Sequence, residues 1–199
     1  MIAMRNLKGN ITKKKIFDFC IREFVKGGYA KVSIRNIAKG TGVSIGGIYY
    51  YFSSKDKIAQ FLYNNATEFV LNKIKLGIKK TRHNDKEALK SIIYNFFDMT
   101  ESYPYLIEFI LYVKHKEFLP DALPICSSKP FEYIKNFIKE KIKTRVFRDM
   151  DIVIMSSLII GPIIRIIQLK MDGLVSEDLR LYTEPLFDSI VRSIFNKQI

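Results

Sequence analysis

Apolar side chains recur at intervals of three and four residues along most of the chain, which is the spacing of amphipathic helices. No stretch alternates between apolar and polar residues with the turn chemistry of a hairpin. The pattern therefore predicts an all-α protein of about nine helices. The first is expected over residues 12–26, two short helices begin after Ser33 and Ser44, and a long helix runs from Lys55 to about residue 80.

The two short helices are joined by a turn that contains Gly40 and Gly42, and this spacing is typical of a helix-turn-helix unit. In such a unit the second helix enters the major groove of DNA and the first crosses the phosphate backbone. No linker rich in glycine, serine or proline follows. We therefore expect a DNA-binding domain over residues 1–54 and a larger helical domain over residues 55–199, connected rigidly by the long helix.

Net charge supports this division, because basic residues are concentrated in the first third of the chain. Residues 1–63 carry a net charge of +9 out of the formal +13. Basic side chains that neutralise phosphates release condensed counterions, so the asymmetry favours a polyanionic partner. A generally basic surface is the alternative that composition leaves open.

Targeting and membrane signals favour a cytoplasmic protein. The N-terminal residues lack an apolar run of signal-peptide length, and the two cysteines form no CxxC pair. The most apolar segment, residues 152–169, is interrupted by Gly161, Pro162 and Arg165. Because a charged residue at the centre of a bilayer is costly, we expect a buried helix and no membrane association.

The second short helix carries side chains that cannot all face a core. Apart from Ile48, positions 45–51 hold an isoleucine, two glycines and three tyrosines, and these span every side of a helix. Each glycine costs roughly 1 kcal/mol, which a close approach to a phosphate or a groove floor would explain. Tyrosine hydroxyls can donate to phosphate oxygens, although half-buried packing is the commoner role of a single tyrosine. The predicted DNA-binding residues here are Ser44, Ile45, Gly46, Gly47, Tyr49, Tyr50 and Tyr51.

The segment 11–58 resembles the DNA-binding domain of the TetR family of bacterial transcriptional regulators. The pattern G-V-S-x-G-x-x-Y-x-[HY]-F-x-x-K is complete over residues 42–55. The resemblance implies phosphate-backbone positions at Ser33, Tyr49, Tyr51 and Lys55.

The resemblance also implies base contacts in the major groove. The variable positions that read bases in related proteins correspond to Arg35, Ile45, Gly47 and Tyr50. Arginine can bond to guanine, and isoleucine can contact the methyl group of thymine. Glycine at position 47 departs from a more informative side chain, so direct readout is not expected there.

Residues 64–199 contain no catalytic constellation. His83 and His115 are isolated, no metal-ligand or phosphate-loop motif occurs, and the serines lack the context of a nucleophile. The chain is therefore not expected to be an enzyme, or to carry a metal or a cofactor.

Aromatic residues in the larger domain suit an apolar ligand cavity between helices, and an ordinary aromatic core explains them equally well. The resemblance implies a small-molecule effector site in this region. Arg165 is expected either to pair with an acidic residue across the core or to meet an anionic ligand group. The predicted ligand-binding residues are Phe69, Phe97, Phe109, Tyr112, Phe137, Ile159 and Arg165.

Residues 151–171 and 176–196 are apolar on more than one helical face. A helix of this kind needs cover on all sides, and a two-fold four-helix bundle with a second subunit would provide it. We expect a homodimer through these two segments. The resemblance agrees, because two reading helices must lie about 34 Å apart on palindromic DNA.

These features predict a TetR-like transcriptional regulator, a repressor released from a palindromic double-stranded DNA operator by a small apolar or amphipathic ligand. Two alternatives remain open at the level of sequence. One is a nucleoid-type DNA-binding protein without an effector, and the other is a helical ligand-binding protein with a vestigial helix-turn-helix.

Overall fold

The fold is helical throughout the part of the chain that the computed structural model describes, residues 11–120 and 125–196 without the side chains of Glu117 and Cys126. These residues form nine α-helices and no strand, with one isolated bridge between Phe147 and Phe195, which confirms the all-α prediction. The helices are α1 (Ile11–Gly27), α2 (Ile34–Thr41), α3 (Ile45–Tyr51), α4 (Lys55–Lys80), α5 (Asp85–Ser102), α6 (Pro104–Tyr112), α7 (Lys129–Lys143), α8 (Ile152–Met171) and α9 (Thr183–Ile194).

The chain divides into two compact units. The first consists of the described residues of Met1–Asn72 and Pro104–Ser128, and the second of those of Lys73–Tyr103 and Lys129–Ile199. Helix α4 contributes residues to both units. The functional division that we expect after residue 54 remains a prediction.

The first unit is built on the packing of α1 against α2 and α6. One face of α1 presents Ile16, Cys20 and Phe24, which are essentially inaccessible to solvent and spaced four residues apart, as a packed helix requires. Burial, reinforced by the nearby charge of Glu23, raises the pKa of Cys20 to about 12, so its thiol stays protonated.

Helices α2 and α3 begin at the two serines that the sequence singles out. Ser33 accepts a hydrogen bond from the backbone N–H of Asn36, whose side chain accepts in return from the N–H of Ser33 at 2.9 Å. Ser44 accepts from the N–H of Gly47 at 3.0 Å. Gly42 ends α2 with a φ of 71°, a left-handed conformation that glycine adopts without strain. Local polar groups therefore define where each short helix starts and stops.

The second unit packs α5 against α8 and α9, and α7 against α8. Lys170 near the end of α8 pairs with Glu101 of α5 at 3.2 Å. Helix α8 buries one stripe of side chains at four-residue intervals, namely Met155, Ile159, Ile163 and Ile167.

The rest of α8 is not covered by its own unit. Val153 is 67% exposed, and Ile154 and Leu158 are exposed as well, so the expectation of a buried helix is met along one stripe only. Arg165 is exposed and donates to Gln168 at 3.0 Å, so of its two expected roles the ion pair across the core is not formed with any described residue. Among the described residues, α8 is the one helix long and apolar enough to cross a membrane, which by itself is weak evidence.

The last helix is shorter than the pattern predicts. In place of one helix over residues 176–196, a 3-10 turn at Leu179–Tyr182 precedes α9. Asp178 caps that turn by accepting from the backbone N–H of Arg180 at 2.9 Å. Pro185 has no N–H and is tolerated only in the first turn of a helix, which places the start of α9 just before it.

Gly40 allows α2 to approach α1 closely, because a Cβ at this position would lie 1.9 Å from the ring of Phe19. We expect Gly40→Ala to lower the free energy of unfolding by roughly 1 to 3 kcal/mol, since the ring must leave its position. Urea denaturation measures this loss. The loss should be smaller in a Phe19→Leu background, and equal losses in both backgrounds would contradict the role of the ring.

Candidate nucleic-acid interface

Helix α3 presents one side to the core of the first unit and the other to solvent. Ile48 is fully buried, whereas Tyr50 is 82% exposed and Tyr49 is 51% exposed. Ile45 and Gly46 are exposed as well. These four exposed residues define the outer face of α3, which is open to solvent.

The two glycines of α3 have different surroundings. A Cβ at Gly47 would lie 3.1 Å from Ser44 Oγ and from Val43 Cγ1, so the N-terminal cap itself favours glycine there. A Cβ at Gly46 would meet nothing within 4 Å. The first unit therefore supplies no steric reason for glycine at position 46, and that position is left for close approach by an external surface.

Tyr51 is packed more closely than Tyr49 and Tyr50. It is half-buried, and its ring meets that of Tyr50 edge-on, with centroids 4.9 Å apart. The ammonium group of Lys13 lies 5.7 Å from the centre of the Tyr51 ring. Half-buried packing, the ordinary alternative for a tyrosine, thus describes Tyr51, while Tyr49 and Tyr50 are free to make polar contacts outside the unit.

Lys55 is engaged with the segment that connects α1 and α2. Its Nζ donates to the backbone carbonyl of Tyr29 at 3.0 Å and lies 3.9 Å from the centre of the Tyr29 ring. The hydroxyl of Tyr29 donates to the carboxylate of Asp56. Burial, together with the hydrogen bond and charge of Asp56, raises the pKa of Tyr29. We call this three-residue arrangement the Tyr29 clamp; it attaches the start of α4 to the α1–α2 connection.

The predicted contacts on α2 are exposed. Arg35 makes no side-chain hydrogen bond or ion pair with any residue that the structure describes. Ser33 is exposed too, but its hydroxyl already takes part in the helix cap. The same is true of Ser44, whose Oγ caps α3. A phosphate contact by either serine would therefore add to a capping role that the fold requires.

The predicted ligand-binding residues do not all fall in one unit. Phe69, Phe109 and Tyr112 belong to the first unit, and Phe97, Phe137, Ile159 and Arg165 belong to the second. Most are core residues, whereas Tyr112 and Arg165 are exposed. Phe137 is half-buried and lines a groove of about 720 Å³ in the second unit. The assignment of the set as an effector site remains a prediction.

His115 is a residue whose surroundings the sequence does not reveal. Its imidazole is buried against the rings of Tyr63 and Phe109, with centroids 4.7 and 4.8 Å away. Neither ring nitrogen, nor the Tyr63 hydroxyl, has a hydrogen-bond partner among the described residues. Burial lowers the pKa of His115, and the carbonyls of Ile110 and Phe109 oppose this effect without reaching hydrogen-bond geometry. An isolated histidine in the sequence carries no signal of this environment.

Groups of acidic, histidine and cysteine side chains that could hold a metal ion do not occur within residues 11–120 and 125–196. The interface therefore has to be understood from the shape, charge and hydrogen-bonding groups of α2, α3 and the start of α4.

Comparison with known proteins places the helix-turn-helix segment in a family. Residues 16–60 match the model of the bacterial regulatory proteins of the tetR family, which confirms the resemblance inferred from the sequence. No curated relative matches the chain.

Solved structures extend the likeness to the whole fold. A TetR family transcription regulator from Marinobacter aquaeolei VT8 is 15% identical with a TM-score of 0.78, and the match covers 96% of this chain and 100% of that one. The fatty acid degradation regulator FadR from Bacillus halodurans is 19% identical with a TM-score of 0.73, covering 92% and 95%. FadR from Bacillus subtilis in complex with stearoyl-CoA is 21% identical with a TM-score of 0.68, covering 89% and 97%. At these identities the likeness shows that the chain has the fold of TetR-family regulators.

The surroundings of His115 predict a pH dependence of stability. The unfolded chain regains a histidine pKa of about 6.5, above the folded value, so it takes up more protons as the pH falls below that point. We therefore expect the free energy of unfolding, measured by urea denaturation, to fall from about pH 7.5 to about pH 5.5. His115→Phe should reduce this fall, and His83→Gln, at the exposed histidine, should not. Identical pH profiles for the two variants would contradict the assignment.

Proposed function

We propose that this chain, whose residues 16–60 carry the tetR family match, is a cytoplasmic, homodimeric transcriptional regulator that binds operator DNA through α3. The observation that carries the proposal is the outer face of α3. Buried Ile48 orients the helix so that Tyr49, Tyr50 and Gly46 face solvent. A short helix held in this way by a preceding helix is the arrangement that enters the major groove.

The roles of the polar residues follow from their positions in the unit. Arg35 is an exposed guanidinium without a described partner and can reach base edges or phosphates, whereas Tyr49 and Tyr50 offer hydroxyl donors. Lys55 supports the interface through the Tyr29 clamp, because its ammonium group is already bonded to Tyr29. We propose that the ammonium group of Lys55 contacts a phosphate while it keeps its hydrogen bond to the carbonyl of Tyr29.

Dimerisation through residues 151–171 and 176–196 would cover the apolar side of α8 that its own unit leaves open. Val153, Ile154 and Leu158 are exposed along this helix. A second copy related by a two-fold axis presents the same apolar surface, so one self-complementary contact would remove the apolar surfaces of both copies from water. The resulting pair of α3 helices would suit a palindromic operator.

We further propose that the regulator is a repressor released by a small apolar or amphipathic ligand. The FadR neighbour from Bacillus subtilis is described in complex with stearoyl-CoA, which supports an effector for a chain of the same fold. The ligand needs only to bind the non-DNA conformation more tightly, and a coupling of about 1 to 3 kcal/mol is typical of such responses.

Gly46→Ala separates the fold from DNA binding. A methyl group at position 46 has open space, so the isolated protein should stay folded and gain up to about 1 kcal/mol from helix propensity. If the duplex approaches this point closely, affinity for DNA selected from a random pool should fall by at least about tenfold, or about 1.4 kcal/mol. Fluorescence anisotropy measures the affinity, and thermal denaturation measures the stability.

Gly27→Ala provides the matched control for Gly46→Ala. Gly27 ends α1, away from the outer face of α3, and a Cβ there would make an ordinary contact of 4.0 Å with Lys31. This control should bind DNA as the wild type does. Wild-type affinity in Gly46→Ala as well would contradict the close approach, and binding that depends on salt but not on sequence would favour a nucleoid-type protein.

Ile154→Glu tests the proposed dimer contact. Ile154 is exposed on α8, so a carboxylate there should leave the fold of the unit intact but disrupt an apolar contact between copies. Sedimentation equilibrium should show a dimer for the wild type and a monomer for the variant. Leu174→Glu, at an apolar side chain that is also exposed but lies outside the helices, should remain dimeric. The proposal fails if the two variants have the same mass in solution.

A further inference from the structure

The second unit contains a groove of about 720 Å³ between the turn that joins α4 to α5 and one face of α7. A volume of this size is in the range of sites that hold small organic molecules. We propose that this groove binds a small amphipathic anion, meaning a carboxylate or phosphate group attached to a flat apolar body.

The apolar part of the groove is formed by side chains of three helices. Ile78 at the end of α4, Ala88 of α5, and Tyr133 and Phe137 of α7 all line it. The ring of Phe137 is held edge-on against Phe147, with centroids 6.2 Å apart. The two aromatic rings lie four residues apart on one face of α7 and both line the groove, where a flat apolar group can pack against them. A lysine ammonium lies over each ring, Lys75 at 5.4 Å from the centre of Tyr133 and Lys141 at 5.4 Å from the centre of Phe137.

The acidic groups of the groove already have a partner. Lys141 Nζ lies 2.9 Å from Asp85 Oδ1 and 2.9 Å from Glu140 Oε1. Burial opposes the charge of Lys141, but its hydrogen bonds to these two carboxylates outweigh that effect and raise its pKa. Lys141 is thus shared by both carboxylates, and with Lys79 and Arg82 the groove lining carries three cations against two carboxylates, a net charge of +1.

Two basic groups at and after the end of α4 have no such partner. Lys79 and Arg82 line the groove, and within the described part of the chain neither side chain takes part in an ion pair or a hydrogen bond. Two cations beside an apolar surface attract an anion, and a guanidinium can bond two oxygens of a carboxylate or phosphate at once. An uncharged ligand would leave both cations without a partner as it displaced water from them.

The backbone of the turn supports this assignment. Arg82 and His83 are consecutive non-glycine residues with φ values of 50° and 68°, in the left-handed region that such residues rarely occupy. Both line the groove. The unusual backbone thus places the guanidinium and the imidazole of adjacent residues at the same cavity.

Isothermal titration of the full chain with naphthalene derivatives tests the proposal. The probes are 1-naphthyl phosphate and 1-naphthoate as amphipathic anions, 1-naphthalenemethanol as the uncharged match, and inorganic phosphate as the anion without an apolar body. We expect at least one naphthyl anion to bind at least tenfold more tightly than the alcohol and inorganic phosphate. The two head groups distinguish a phosphate site from a carboxylate site.

Variants of the basic residues test whether the anion binds in this groove. Arg82→Gln and Lys79→Gln should each weaken the preferred anion by about fivefold or more, the effect of losing a charged hydrogen bond, and leave the affinity for the alcohol unchanged. Lys80→Gln is the matched control, because Lys80 is an exposed lysine at the same helix end that does not line the groove. Circular dichroism verifies that each variant is folded.

Three results would overturn the proposal. They are the absence of binding by either anion at millimolar concentration, equal affinity for the anions and the alcohol, and equal effects of Lys79→Gln and Lys80→Gln. No DNA is present in the titration, so the outcome is independent of the proposed regulatory function. Conversely, a protein that fails to bind DNA but binds the anion through Arg82 would refute the regulatory proposal and support the groove.

Discussion

The burial of Ile48 is the constraint on which the candidate interface depends. Helix α3 has seven residues, too few to be stable or to hold its orientation alone. Ile48 is its one buried side chain, and removing an isoleucine from water contributes about 1.5 to 3 kcal/mol. Because helical residues advance by about 100° each, Gly46 and Tyr50 lie on the side farthest from Ile48. Orienting one side chain inward therefore determines which groups of α3 face solvent.

The Tyr29 clamp extends this constraint beyond α3. The ring of Tyr29 stacks on that of Phe118 with centroids 4.3 Å apart, and the centroid of the Phe118 ring lies 5.8 Å from that of His115. A continuous series of packed rings thus connects the start of α4 with the buried imidazole within the first unit. Lys55 and Asp56 close one end of the series by bonding to Tyr29. The series joins the α1–α2 connection, the start of α4 and the segment after α6 into one packed region of the first unit.

Local features of the fold could be predicted from the sequence, whereas features that join distant segments could not. The caps at Ser33 and Ser44 and the exposed tyrosines of α3 follow from signals within four residues, and the structure has them. The contact of Tyr29 with Asp56 joins residues 27 positions apart, and no periodicity encodes it. The groove requires the α4–α5 turn to meet α7, about fifty residues later in the chain, so the sequence predicts Phe137 as a ligand-binding residue without indicating that it lies beside that turn. The sequence does not reveal the steric difference between the two glycines of α3, because that difference depends on where the side chains of Ser44 and Val43 lie.

Helix α8 shows how an apparent conflict between sequence and structure becomes an argument about partners. Its composition suits a buried or membrane-spanning helix, yet its own unit covers only the stripe from Met155 to Ile167. A lipid environment is disfavoured by the polar end of the exposed side, where Arg165 donates to Gln168, and by Lys170, which is paired with Glu101. A second protein surface accommodates both parts, because apolar side chains can pack at its centre while charged groups remain solvated at its edge. A second copy of this chain would supply that surface with matching chemistry, which supports the dimer that we propose.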